Sequence, residues 1–255
     1  MLPDNKALAN KMVVVTGSSS GIGRAVAQKF AAQGARVVVH SKSSVAAGQQ
    51  AAQEIVQAGG EAVYLQADLE QPDEVKRLFA EVLAVYGRVD VLVNNAGSPT
   101  ARPFLETDHA FWLSNLNNVF LSAVLCSIEA ARIMQTQDGG KIINTTSMRG
   151  LDHAGRPASM AYSAGKAALN NFTKNLAKEL APQITVNAVA PGFVAETAFL
   201  DRAGEKLREQ WLNETPLQRF VLPSEVADAY LYLATADFVT GEVLVIDGGF
   251  NLKLV

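Results

Sequence analysis

The chain has 255 residues, 49% of them hydrophobic and 18% charged, with a formal net charge of −3. This is enough apolar sequence for one large α/β core without disulfide or metal staples, and the mild acidity offers no basic stripe for a nucleic-acid backbone. No run reaches the ~18 uninterrupted apolar residues of a membrane span, and the opening MLPDNKALANK lacks a charged start followed by an apolar stretch, so a cytoplasmic protein is expected.

Short β-branched runs then alternate with segments of helical period. MVVVT (12–16) predicts a strand and 22–33 a helix; ARVVVH (35–40) and 45–58 repeat the pair, as do EAVYLQA (61–67) and 73–86. VDVLVNN (89–95) is followed by a helix over 109–135, GKIINTT (140–146) by a helix over 160–180, and QITVNAVA (183–190) by a helix over 224–234. EVLVIDG (242–248) is the last strand. Nearly continuous apolar strands such as VVV and VLV suit a parallel sheet covered on both faces. Because βαβ crossovers are right-handed, the expected architecture is a three-layer doubly wound sandwich, read as a single domain over 1–255. The one cysteine, Cys126, falls in VFLSAVLCSIEAARIM and predicts a buried reduced thiol in a reducing compartment.

Two stretches carry chemistry. TGSSSGIG (16–23) joins the first strand to the first helix, with Gly17, Gly21 and Gly23 interleaved with Ser19, Ser20 and Ile22. Glycines there allow positive φ and let a pyrophosphate approach the amides of a helix N-terminus, although they equally permit a tight turn and close packing. YSAGK places Tyr162 and Lys166 four residues apart on one helical face. An ammonium beside a phenol lowers its pKa from ~10 towards working pH, as a general acid/base at a carbonyl oxygen requires. An ordinary exposed Tyr/Lys pair is the other reading of that spacing. His40, His109 and His153 are isolated, so no metal site is expected.

TGxxxGxG, Asp68 in QADLE, Asn94-Asn95-Ala96-Gly97, Tyr162-Ser163-Ala164-Gly165-Lys166 and Pro191-Gly192 follow one another from about residue 10 to the DGGF near the end. In this order and spacing the chain resembles the short-chain dehydrogenase/reductase family, in its compact single-domain branch, and is similar to its 3-oxoacyl-[acyl-carrier-protein] reductase-like members. The resemblance implies reversible reduction of a small-molecule carbonyl by hydride transfer. Tyr162 is then the general acid/base and Lys166 its electrostatic partner. Ser147 in TTSMRG polarises the carbonyl, with Thr146 as the alternative. Asn115 in SNLNNVF bends its helix around a relay water, with Asn117 and Asn118 close by in sequence. It further implies that Asp68 and Leu69 receive the adenine, that Asn94, Asn95, Ala96 and Gly97 border the cofactor cleft, and that Pro191, Gly192, Val194 and Thr197 face the nicotinamide. Two spacings depart from the family pattern: the stretch between Ser147 and Tyr162 is about two residues longer, and Thr197 comes one position late.

At the end of the second strand, VVVHSKSS has Ser41 where NAD-preferring relatives carry Asp, followed by Lys42 and Ser43. With Glu54 the first acidic residue after this strand, NADP(H) is expected over NAD(H), with Arg24 as a further contributor. Loops 98–108, 148–160 and 194–220 are expected to select the substrate, the last as a lid. Within and beside them, Arg102, Arg149, His153 and Arg156 would offer positive charge to an anionic substrate. A 3-oxoacyl thioester is the leading substrate class and a sugar or polyol the alternative. A non-catalytic NADP(H)-binding regulator and a cofactor-using epimerase or dehydratase are the alternatives from other classes. The apolar edge strand at the end calls for a covering partner, and the family resemblance implies a homotetramer, or failing that a dimer.

Overall fold

A computed structural model describes residues 6–151 and 156–252; His153 lies outside them. Seven strands form: β1 (Met12–Val15), β2 (Arg36–Ser41), β3 (Glu61–Gln66), β4 (Val91–Asn94), β5 (Gly140–Thr145), β6 (Ile184–Pro191) and β7 (Val243–Ile246). All pair in parallel, in the order β3-β2-β1-β4-β5-β6-β7. The expected doubly wound sandwich is therefore present, with each strand within two residues of its predicted ends.

Alternation along the strands builds the two outer layers, because successive side chains point to opposite faces. Val13 and Val15 of β1 join Val26, Ala27 and Phe30 of α1 (Gly21–Ala32), Ala51 and Ile55 of α2 (Val45–Gln57), and Val226, Tyr230 and Leu233 of a late helix over Pro223–Thr235. Met12 and Val14 face the other way, onto Val75, Leu78, Phe79 and Val82 of α3 (Pro72–Tyr86). Cys126 is buried in that second layer, as expected.

The segment predicted as one helix over 109–135 is divided. α4 (His109–Leu116) passes through a π-helical turn, Asn117–Leu121, into α5 (Ser122–Gln135). By length and composition alone His109–Gln135 resembles a membrane span. Its Cys126, Ala130 and Met134 are instead packed against the sheet among the second-layer core. After β5 come the 3₁₀ turn Met148–Gly150 and α6 (Met160–Leu180). Two helices that were not predicted, α7 (Ala198–Asp201) and α8 (Glu205–Glu214), lie inside the segment read as a lid, and α9 (Pro223–Thr235) follows.

The chain moves outward from β1 through β2 to β3, then returns to β4 on the other side of β1. This reversal opens a crevice beyond the carboxyl ends of β1 and β4, where ligands of such sheets bind.

Candidate active site

The crevice is floored by the glycine loop. Gly17 has φ +63°, and a Cβ there would come within 2.8 Å of Ala96 Cα, so a side chain is excluded by backbone conformation and by space together. Thr16 Oγ1 accepts from the amides of Asn95 (2.9 Å) and Ala96 (3.0 Å), and Asn95 Nδ2 donates to the carbonyls of Thr16 (3.0 Å) and Gly17 (3.1 Å). The two loops at the switch point are thus tied to each other. Gly21 opens α1, and a Cβ on it would project into the cleft, 3.8 Å from Thr197 Cγ2. The loop therefore leaves a cradle at a helix N-terminus of the kind that takes a pyrophosphate.

His40 belongs to this floor, although its isolation in the sequence gave no sign of it. Its Nδ1 accepts from the Gly17 amide at 3.1 Å and its Nε2 lies 3.0 Å from the Ala67 carbonyl, an arrangement that requires the neutral ring with the proton on Nε2. Burial holds its pKa down at about 4.

A cavity of about 580 Å³ extends from this cradle. It is lined by Gly17, Ser19, Ser20, Gly21, Ile22 and Gly23 below, by Ser41, Lys42, Ser43, Asp68 and Leu69 at one end, and by Asn95, Ala96 and Gly97 along one side. Ser147, Tyr162, Lys166, Pro191, Gly192, Val194 and Thr197 complete it. The cradle and the long lining from β2 to β6 fit a nicotinamide dinucleotide. The late Thr197 still reaches the wall and caps α7, and Glu196 before it has φ +55°.

Asn94 lies away from the cleft, and Asn115, expected to bend its helix, falls two residues before the π turn. Asn94 turns inward, donating to Ser127 Oγ and Asn144 Oδ1 at 2.9 Å each, because the strand pleat points it away from the cleft. Asn115 is buried, bonded to Thr100 and to the Phe111 carbonyl, and does not line the cavity. What stands at the wall is Asn118 in the π turn, whose Oδ1 accepts from the Ser98 amide.

Ser147, Tyr162 and Lys166 converge. Ser147 caps the turn Met148–Gly150 and its hydroxyl bonds Tyr162, whereas Thr146 donates to the Val189 carbonyl within the sheet. Lys166 Nζ lies 5.7 Å from the Tyr162 ring centroid and donates to the Thr145 carbonyl at 2.7 Å. The expectation of a lysine-depressed phenol is not met. Burial pushes the Tyr162 pKa up, against the pull of the Ser147 hydroxyl and the Arg149 charge, and burial lowers Lys166 to about 8. At neutral pH Tyr162 therefore carries its proton.

The premise that no carboxylate neighbours Lys42 also fails. Its Nζ is 2.9 Å from Asp68 Oδ2 and 3.0 Å from Glu70 Oε1, since β3 runs alongside β2 and brings the loop after it there. Arg24 pairs with Glu54. Of the loop arginines, Arg102 lies over Phe111 at 4.4 Å and Arg156 over Trp211 at 5.1 Å, while Arg149 alone of the three lines the cavity. Among the described residues no cluster of potential ligands could hold a metal ion.

A family model described as enoyl-(acyl carrier protein) reductase matches residues 17–251. The chain is 40% identical over 247 residues to the 3-oxoacyl-[acyl-carrier-protein] reductase of Synechocystis sp., covering 95% of this chain and 98% of that protein. It is 36% identical over 245 residues to the enzyme of the same name from Aquifex aeolicus, with the same coverage. Among solved structures, a dehydrogenase/reductase from Sinorhizobium meliloti superposes with a TM-score of 0.92 at 34% identity, over 97% of this chain and 98% of that one.

Proposed function

The chain belongs to the short-chain dehydrogenase/reductase family, a nicotinamide-dependent oxidoreductase interconverting a carbonyl and an alcohol, and we propose that it reduces 3-oxoacyl thioesters or chemically related ketones with NADPH. The observation that carries this reading is the convergence of Ser147, Tyr162 and Lys166 at the cavity above the glycine cradle. The balanced reaction is NADPH + R₂C=O + H⁺ → NADP⁺ + R₂CHOH. A dihydronicotinamide held in this cleft would supply the hydride that reduces the carbonyl carbon.

Each residue has a distinct task. The Ser147 hydroxyl donates to the carbonyl oxygen and polarises it, and Tyr162, protonated at neutral pH, delivers its proton to that oxygen as negative charge develops. The tyrosinate left behind is stabilised by Lys166, which at a pKa of about 8 is largely charged at pH 7. Asn115 acts through the π turn that follows it, which sets the wall beside α6. Gly17 to Gly23 would hold the pyrophosphate, Asp68 and Leu69 the adenine, Asn95 to Gly97 the ribose side of the cleft, and Pro191, Gly192, Val194 and Thr197 the nicotinamide. The segment 194–220 is the lid, anchored where Val194 bridges Val221. The reading of residues 1–255 as a single domain working in the cytoplasm is supported by the one sheet that both cores share.

NADP(H) is favoured by Ser41, Lys42 and Ser43 at the adenosine end, where no acid terminates β2. Lys42 must then exchange a carboxylate for the 2′-phosphate, and its ammonium has three donors with which to do so. Lys42→Ala is expected to raise the NADPH dissociation constant ~10-fold while leaving that of NADH nearly unchanged. Tighter binding of NADH by the unmodified protein contradicts the preference. The reading as a whole is tested with acetoacetyl thioesters: NADPH oxidation that falls ~10²–10⁴-fold in Tyr162→Phe supports it, and turnover insensitive to that change refutes it.

A further inference from the structure

The ring of His40 is 1% exposed and lies where three loops of the cleft meet. Its Nδ1 accepts from the Gly17 amide at 3.1 Å, at the start of the glycine loop. Its Nε2–H donates to the Ala67 carbonyl at 3.0 Å, immediately before Asp68 and Leu69. His40 itself leads into Ser41, Lys42 and Ser43. One side chain therefore ties together the cradle, the end of β2 and the loop after β3, all of which line the cavity.

The backbone at His40 is held separately. The Ser18 amide donates to the His40 carbonyl at 2.9 Å, and the His40 amide donates at 3.0 Å to Ser18 Oγ, which donates in turn to the Val15 carbonyl at 2.6 Å. None of these bonds uses the ring, so exchanging the side chain removes only the bonds to Gly17 and Ala67. At Gly17, where φ is +63°, the amide is taken by His40 and the carbonyl accepts from Asn95 Nδ2, so the peptides on either side are each fixed by a side chain. The Gly17 amide is thus committed to the protein. Ser20, by contrast, makes no side-chain bond to cap α1, which leaves the first amides of that helix to a ligand. Burial keeps the ring neutral at neutral pH and so preserves Nδ1 as an acceptor.

We propose that His40 is a positioning residue of the dinucleotide site: its ring braces the glycine cradle against the loop that carries Asp68 and Leu69, so that pyrophosphate and adenine meet partners already correctly spaced. Without the brace, a buried amide and a buried carbonyl lose their partners, and the ordering of both loops opposes binding. The inference rests on the nicotinamide-dependent reductase reading and goes beyond it by assigning part of the cofactor affinity to a residue that acts only through its neighbours.

The test uses His40→Leu, which makes neither ring bond, and His40→Asn, whose Oδ1 takes roughly the place of Nδ1 and can keep the bond to Gly17. NADP⁺ and NAD⁺ are titrated calorimetrically at neutral pH, NADPH oxidation is followed with an acetoacetyl thioester, and each protein is melted without nucleotide. His40→Leu is expected to raise the dissociation constants of both nucleotides by a common factor of ~10, because neither ring bond reaches Ser41, Lys42 or Ser43. The KM for NADPH should rise more than kcat falls, and the KM for the thioester should stay within ~2-fold. His40→Asn should return both dissociation constants to within ~3-fold of the unmodified protein, even where its melting temperature stays low. Nucleotide affinity unchanged in His40→Leu overturns the proposal. A loss that follows melting temperature alone, with His40→Asn no better than His40→Leu, overturns it as well; either result leaves the reductase reading intact. Failure of the unmodified protein to bind either nucleotide overturns this inference together with that reading.

Discussion

His40 and Tyr162 differ in how far their chemistry can be read from the sequence. The Tyr162/Lys166 spacing on α6 was legible because four residues always bring two side chains to one helical face. The direction of their pKa shifts was not legible, since burial is a tertiary property, and it reversed the expected depression of the phenol. His40 was silent for a related reason: the Gly17 amide and Ala67 carbonyl that fix its tautomer come from two other loops. Its folded pKa of about 4 lies below the 6.5 of the free side chain, so the unfolded chain binds a proton first on acidification. The contribution of the neutral ring is complete above pH 6.5 and is lost as pH falls towards 4, amounting to ~3 kcal/mol across that window. Urea denaturation at stepped pH should show this loss, and His40→Gln should flatten the slope between pH 6.5 and 4. A slope unchanged by that substitution would assign the acid sensitivity to other groups. Lys42 teaches the same lesson, because its carboxylate partners become visible only once β3 is placed beside β2.

At the scale of elements, alternating apolar runs identified every strand, and helical period identified most of the helices. The departures follow from local physics. Asparagines at 115, 117 and 118 weaken an otherwise apolar helix, and the break there is a π turn, with Val119 packed where Gly165 leaves no side chain. Helices α7 and α8 escaped prediction because their residues mix acids, bases and large apolar groups, and what orders them is the Phe193–Trp211–Phe199 stack. One close coupling between elements lies at Gly150, against the backbone of α6. Gly150→Ala should therefore cost ~1–3 kcal/mol in chemical denaturation. It should also lower kcat more than it raises KM, because the displaced turn carries Ser147. An unchanged kcat would show that Ser147 is not held by this contact.

For the whole molecule, right-handed crossovers and the run of seven strands already implied a crevice where the strand order reverses, and the glycine loop occupies it. Assembly is the property least legible in a single chain. Leu113, Leu121 and Ile128 leave exposed apolar surface along α4, the π turn and α5, and Val245 is exposed on the edge strand β7. Such surface is expected to be covered by further copies of the chain, giving a tetramer by light scattering at micromolar concentration, and Ile128→Glu should shift the mass downward. A monomer at that concentration contradicts the expectation. The central claim, that this site moves hydride to a carbonyl carbon with Tyr162 as proton donor, is tested most directly by following deuterium. NADPH deuterated at the transferable C4 position is incubated with an acetoacetyl thioester and with acetoacetate, and the products are examined by mass spectrometry and NMR. The account predicts one deuterium on the carbinol carbon of the product, formed by the unmodified protein and nearly abolished in Tyr162→Phe; reduced product without that label, or equal labelling by the variant, would contradict it.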